Sequence, residues 1–287
     1  MTNRSSYLVI TPARDEENFL PQLIDSMAHQ TRLPARWIII DDGSTDATAS
    51  ILDAAARARS WIDAQHLSRD RPRAAGGESV IMQFIPLSVA EKYDYVLRLD
   101  ADLSFDRDFS ELMLDEFDRD PKLGIAGPTL WEPSGASWHE IAMPAFHTRG
   151  AAKMYSRGCF KAIGGLDADL GWDTLDEARA MMLGFRTQSF RHIIARHHRP
   201  QGSASGWKAR IAAGESAYKV GYSPVFMAVR AARQTFATPF PIAGALLFGG
   251  YLKGYLQRAR RSAGPELIKF IRQQQVRRLM MRESLWR

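Results

Sequence analysis

Two short acidic motifs carry the clearest chemistry in this sequence. Asp41-Asp42-Gly43-Ser44-Thr45-Asp46 closes the apolar run Ile38-Ile39-Ile40, and Asp100-Ala101-Asp102 closes the run from Tyr95 to Leu99. Two carboxylates one residue apart, just past a strand, can reach a common divalent cation and a ribose hydroxyl. Manganese and magnesium accept hard oxygen ligands and keep positions open for substrate phosphates. Such a cation neutralises the charge that builds on a departing diphosphate. Each motif also has an ordinary reading. An Asp-x-Asp at a strand end can be a solvated turn, and Asp, Gly and Ser are what a strand-to-helix turn wants. What favours chemistry is the repetition at two strand ends. A carboxylate beside a buried strand end is costly unless a ligand or metal satisfies it, and a nucleoside offers suitable N–H and hydroxyl donors.

The elements that would position these acids follow from periodicity. Tyr7 to Ala13 and Trp37 to Ile40 read as buried strands, with a third near Ile62 to Leu67 and a fourth from Tyr95 to Leu99. Between them, Glu16 to Gln30 carries Phe19, Leu20, Leu23, Ile24 and Met27 at helical spacing, and a second helix runs through Ile51 and Leu52 to Arg59. Alternating strands and helices with short connections specify a parallel sheet covered by helices. In such sheets ligands bind outside the carboxyl ends of the strands, where both acidic motifs fall. The second half is less regular. Leu123 to Ala126 and Phe190 to Ala195 read as strands, Leu175 to Leu183 as a helix, and Trp131 to Ala152 as an irregular cover.

Composition narrows the class. The chain has 287 residues, 45% hydrophobic and 24% charged, ordinary for a globular protein with a full core. The lone cysteine, Cys159, excludes an intrachain disulfide and a cysteine-based zinc site. No Gly-x-Gly-x-x-Gly is present, which argues against a nicotinamide dehydrogenase. No secretory signal is read at the N-terminus, so the expected location is cytoplasmic. The net charge of +6 is carried largely by the C-terminal region, where arginines from Arg258 to Arg287 face only Glu266 and Glu283. With the apolar stretch Pro239 to Leu252, this suits either an anionic membrane surface on the inner face of the cell membrane or helices packed on the main domain. Nucleic acid is disfavoured for want of a base-reading motif. Arg71 and Arg73 can grip a diphosphate through forked donors or simply be solvated. His147, Trp131 and Trp138 suit an acceptor pocket or packing equally.

Taken in order, Thr11 to Asn18, Ile38 to Asp46 and Leu99 to Leu103, continued by Ile163 to Leu166, Gly171 to Glu177 and Gly184-Phe185, resemble the family-2 inverting glycosyltransferases. The resemblance implies a GT-A α/β fold using a UDP- or GDP-linked sugar. By it, Thr11, Ala13, Glu16 and Asp42 line the nucleoside pocket. Asp100 holds the sugar nucleotide, and Asp102 holds Mn2+ or Mg2+. His198, or equally His197, completes the metal's coordination. Counting back from Gly184-Phe185 makes Asp173 the catalytic base, with Asp176 and Glu177 as fallbacks, although Trp172 stands where the family commonly has Glu. Asp173 also suits a helix N-cap. The expected organisation is a GT-A domain over residues 1–222 and a basic, apolar helical segment over 223–287. The expected reaction passes a sugar to an acceptor hydroxyl on a glycan or lipid-linked acceptor, in surface polysaccharide or glycolipid synthesis. A polyprenyl-phosphate glycosyltransferase and a non-catalytic sugar-nucleotide-binding scaffold at the membrane are the alternatives.

Overall fold

A computed structural model describes residues 5–69, 87–166, 171–199, 206–236 and 240–286. Its centre is one mostly parallel, helix-flanked sheet, nine-stranded among these residues, ordered β3-β2-β1-β4-β8-β6-β9-β5, with β7 paired to β6. The first four positions are parallel: β1 (Tyr7–Ala13), β2 (Arg36–Asp41), β3 (Ile62–His66) and β4 (Tyr95–Leu99). Every residue of β1 is buried. That is why the strand reads as a continuous apolar run rather than an alternation, since helices cover both faces.

On one face lie α1 (Leu20–Ala28), α2 (Thr48–Ala58) and α4 (Phe109–Arg119), which bury Leu23, Leu52 and Met113 against Val9 and Trp37. On the other lie the short α3 (Leu87–Ala90) and α5 (Arg157–Ala162), with Ala90 and Phe160 on Ile10 and Ile38.

The remaining strands are β5 (Leu103–Phe105), β6 (Leu123–Ser134), β7 (Ser137–Glu140), β8 (Ala152–Ser156) and β9 (Arg186–His197). Here the structure corrects the sequence reading. The expected cover from Trp131 to Ala152 begins as ordered sheet, because β6 runs on through Trp131 and turns at Gly135 into β7. Gly135 sits at φ 61°, where a side chain would be strained. β8, which no periodicity announced, is antiparallel to both β4 and β6 and joins the two halves of the sheet.

α6 (Trp172–Met182) packs between the sheet and a helical unit of α7 (Trp207–Val220), α8 (Pro224–Gln234), α9 (Ala243–Leu256) and α10 (Pro265–Leu279). The boundary drawn near Ser223 therefore falls between α7 and α8, two helices of one packed unit. α7 and α9 touch backbone to backbone: a Cβ on Gly214 would lie 2.0 Å from the Leu247 carbonyl oxygen, and one on Gly250 2.1 Å from that of Ile211. No helix among the described residues is long and apolar enough to cross a membrane.

Candidate active site

The loops after β1 and β2 are knitted together by their polar residues. Asp15 accepts from the Thr45 N–H at 2.8 Å, and the Glu16 N–H donates to Thr48 Oγ1 at 2.7 Å. Asp42 donates its N–H to the Ala13 carbonyl and its carboxylate lies 3.3 Å from Arg14. Asp41 has a different task. One oxygen accepts from the Ser44 N–H and hydroxyl at 2.9 and 2.5 Å, and the other lies 3.1 Å from His66 Nδ1. Asp41 thus shapes the turn, while Asp42 and Glu16 are buried beside it. The Thr11 hydroxyl accepts from the Trp37 indole N–H at 2.9 Å and is fully buried.

The second acidic motif faces the first across the strand ends. Asp102 Oδ1 is 3.2 Å from His197 Nε2, and Asp102 Oδ2 accepts from Arg199 Nε at 3.0 Å. The same guanidinium bonds Glu16, so one side chain spans the β1 loop and the end of β4. Behind His197, its Nδ1 lies 3.4 Å from Glu132 on β6, and Glu132 is 3.3 Å from Arg149. Asp100 pairs with the buried Arg98 at 2.5 Å. Burial raises the Asp102 carboxyl, but the His197 hydrogen bond and the Arg199 charge outweigh it and hold it below the usual range.

Asp100, Asp102 and His197 each offer a ligand atom, all within 4.8 Å of one another. This oxygen-rich set with one imidazole suits manganese well. A carboxylate on the far ring nitrogen, here Glu132, is the usual support that orients a metal-binding histidine. His198 turns elsewhere: its Nε2 is 2.7 Å from Ser104 Oγ and its ring packs on Phe19 and Trp138.

A sequence profile for "Glycosyl transferase family 2" matches residues 8–164, more than half of the chain. The chain belongs to glycosyl transferase family 2.

Solved structures of similar fold include a mannosyltransferase, PcManGT, from Pyrobaculum calidifontis in complex with GDP-Man and Mn2+. It is 18% identical at a TM-score of 0.58, over 99% of this chain and 77% of the other. TarS 1-349 of S. aureus in complex with UDP-GlcNAc is 17% identical at 0.57, over 94% and 78%. GalNAc-T7 with UDP, GalNAc and Mn2+ is 14% identical at 0.63, over 99% of this chain and 56% of the other. No curated protein matches the sequence.

The family match ends before α6, so the third group of carboxylates rests on geometry. Gly171, at φ 90°, takes the N-cap position of α6 and leaves Asp173 in the first turn. Among the described residues no hydrogen bond or ion pair engages the Asp173 carboxylate, and its charge bears on Arg149 and His147. The fallback acids are spent. Asp176 accepts from Lys153 Nζ at 2.9 Å and Tyr155 Oη at 2.5 Å. Glu177 accepts from the Thr148 N–H and hydroxyl at 2.6 and 2.7 Å and lies 2.8 Å from His147. Both are buried. Trp172, in place of the common Glu, lies over two buried cations, Arg98 at 5.2 Å and Lys153 at 5.6 Å. An aromatic face thus covers charges that a carboxylate would otherwise meet.

Arg73, with Arg71, lies outside the described residues. Glu132 and Arg149 have no motif in the sequence, whereas Arg199 closes the basic turn Arg196 to Arg199. Arg199 adjoins the histidine pair, which is a usable signal. Glu132 carried none, since its partner lies 65 positions away.

Proposed function

We propose that this family 2 protein transfers a sugar, with inversion, from a UDP- or GDP-linked donor to an acceptor hydroxyl. The observation that carries this reading is the convergence of Asp100, Asp102 and His197 near the end of β4, tied through Arg199 to Glu16, with the Asp173 and Asp100 charges both bearing on Arg149. Asp42 and Glu16 would take the nucleoside, with Ala13 and Thr11 forming the strand end beneath it. Asp102, Asp100 and His197 would hold a Mn2+ or Mg2+ ion, His197 being one of the two histidines that the sequence left open. When bound, the ion supplies counter-charge for the diphosphate.

Asp173 takes the proton from the attacking hydroxyl. That oxygen then forms its bond to the anomeric carbon, and the carbon–oxygen bond to the diphosphate breaks with its electron pair on the leaving group. Arg199, half-exposed and already bridging Glu16 to Asp102, is placed to turn its donors toward the diphosphate as it leaves. Glu132 keeps the His197 ring oriented, and Lys153 holds the start of α6 by donating to the Asp173 carbonyl at 2.6 Å.

The acceptor would be a glycan or lipid-linked glycan of a surface polysaccharide or glycolipid. Exposed apolar side chains such as Phe236, Ile242 and Leu256 among the C-terminal arginines support peripheral attachment to an anionic membrane.

Release of UDP or GDP from a panel of nucleotide sugars, measured with and without manganese, tests the reading. Metal-dependent release that falls about 100-fold or more in Asp102→Asn is expected. Release that ignores both the metal and the substitution would remove it.

A further inference from the structure

A cavity of about 750 Å³ opens beside α6, between the Met143–His147 segment and helices α7, α8 and α10. Its size is that of a site for a small organic ligand. Thr174, which follows Asp173 directly, and His147 form the wall on the side of the sheet. Phe146 stacks on Trp286 at 5.8 Å and Tyr222 leans on the same indole at 5.5 Å, which makes an aromatic floor. Against this floor stand Arg230 and Arg233 of α8 and Arg278 of α10. Among the described residues none of these guanidiniums pairs with a carboxylate. Trp286 is 3% exposed, and its indole N–H has no hydrogen-bond partner there.

These features ask for one kind of occupant. Guanidiniums with no carboxylate partner suit a forked anion such as a phosphate, and Arg230 lies over the Tyr222 ring at 5.9 Å. The aromatic floor, and Val229 and Met281 at the exposed edge, suit apolar atoms. Val225 on α8 and Phe236 just past its end are exposed at 65% and 82%, so apolar side chains also lie outside the cavity along this helix.

We propose that this cavity is the acceptor subsite and that the acceptor is a phosphate-linked amphiphile. Its phosphate rests on Arg230, Arg233 and Arg278, its apolar part follows the aromatic floor outward, and the hydroxyl to be glycosylated reaches Asp173. The phosphate is a handle, not the nucleophile. The inference rests on the reading of Asp173 as the base, and it adds what the base acts on.

Calorimetric titration of the full chain with decyl phosphate, below its micelle concentration, tests the site without any turnover. Decyl glucoside and inorganic phosphate serve as the neutral amphiphile and the free anion. Decyl phosphate is expected to bind more than about tenfold tighter than either, because only it meets both the charge and the apolar floor. The double variant Arg233→Gln/Arg278→Gln, at two exposed positions, should lose about tenfold or more. Ala213→Trp, which fills the cavity and leaves the arginines in place, should also abolish binding. Equal affinity for decyl glucoside, equal affinity for inorganic phosphate, or full affinity in both variants would each overturn the proposal. Thermal shift with UDP, GDP and manganese on the same proteins separates the two readings. Failure of donor binding counts against the transferase assignment alone, and failure of decyl phosphate binding counts against the acceptor site alone.

Discussion

Two groups of buried carboxylates lie on either side of the strand ends, and they are satisfied in opposite ways. Glu16 and Asp102 are held by Arg199, a side chain 45% exposed, while the buried His197 lies between Asp102 and Glu132. Asp176 and Glu177 are held by a wholly buried lysine, a buried tyrosine hydroxyl and a backbone N–H. In the first arrangement the exposed Arg199 can swing away from its carboxylates with little rearrangement. The second cannot exchange anything without opening the core. The same residue types therefore suit an exchangeable site in one place and a strut in the other, and the difference lies in whether the partners are free to leave. Asp173 belongs to neither group. It stands on the strut's helix but keeps its carboxylate uncommitted.

The sharpest way to test this contrast is to change one acid in each class. Asp173→Asn is expected to lower transfer by roughly 10²–10⁴-fold, the usual range for a lost general base, with an unchanged melting temperature. Glu177→Gln should do the reverse, costing stability first. If Asp173→Asn keeps full activity, a phosphate nucleophile that needs no base becomes the better account.

Breaking the strut from the other side is the next largest effect. Lys153→Met leaves Asp176 and Glu177 facing each other without their shared cation, which should cost roughly 3–5 kcal/mol of stability. Chemical denaturation measures it. A loss well under that range would mean that the network is hydrated, contrary to its burial.

The smallest expected effect is a pH dependence. Burial disfavours the charged form of His147, but the Glu177 carboxylate outweighs burial and raises the imidazole above its ordinary value. A raised folded value stabilises fully below the unfolded value of about 6.5, and that contribution is lost as pH climbs through the folded value. The melting-temperature gap between wild type and His147→Gln should therefore be wider near about pH 5.5 than near about pH 9. A gap that does not change with pH would show that folding leaves the His147 pKa unshifted, and one that narrows toward the acid side would show that the imidazole is kept neutral in the folded protein.

Much of the first hundred residues was legible in advance. Buried parallel strands are short apolar runs, and helices between them are amphipathic, so both signals are local. The acidic motifs announced themselves because each closes such a run. The second half resisted for the opposite reason. β8 contains Lys153, a charge that argues against a central strand until its partners on α6 are known. The hairpin of β6 and β7 carries Trp, Pro and Gly in positions that also suit a loop.

By itself, then, the sequence determined the sheet-and-helix class, the strand-end placement of Asp42, Asp100 and Asp102, and a resemblance specific enough to name the family. Tertiary structure decided which of two adjacent candidates faces the site. Neighbouring residues at the end of a strand point to opposite faces, so His197 meets Asp102 while His198 meets Ser104. Asp41 is taken by its own turn, leaving Asp42 beside the pocket. The same holds on α6, where Asp176 and Glu177 turn inward to Lys153 and Asp173 does not. Residue type and spacing fix what chemistry is available, but only packing fixes which group is left free to perform it.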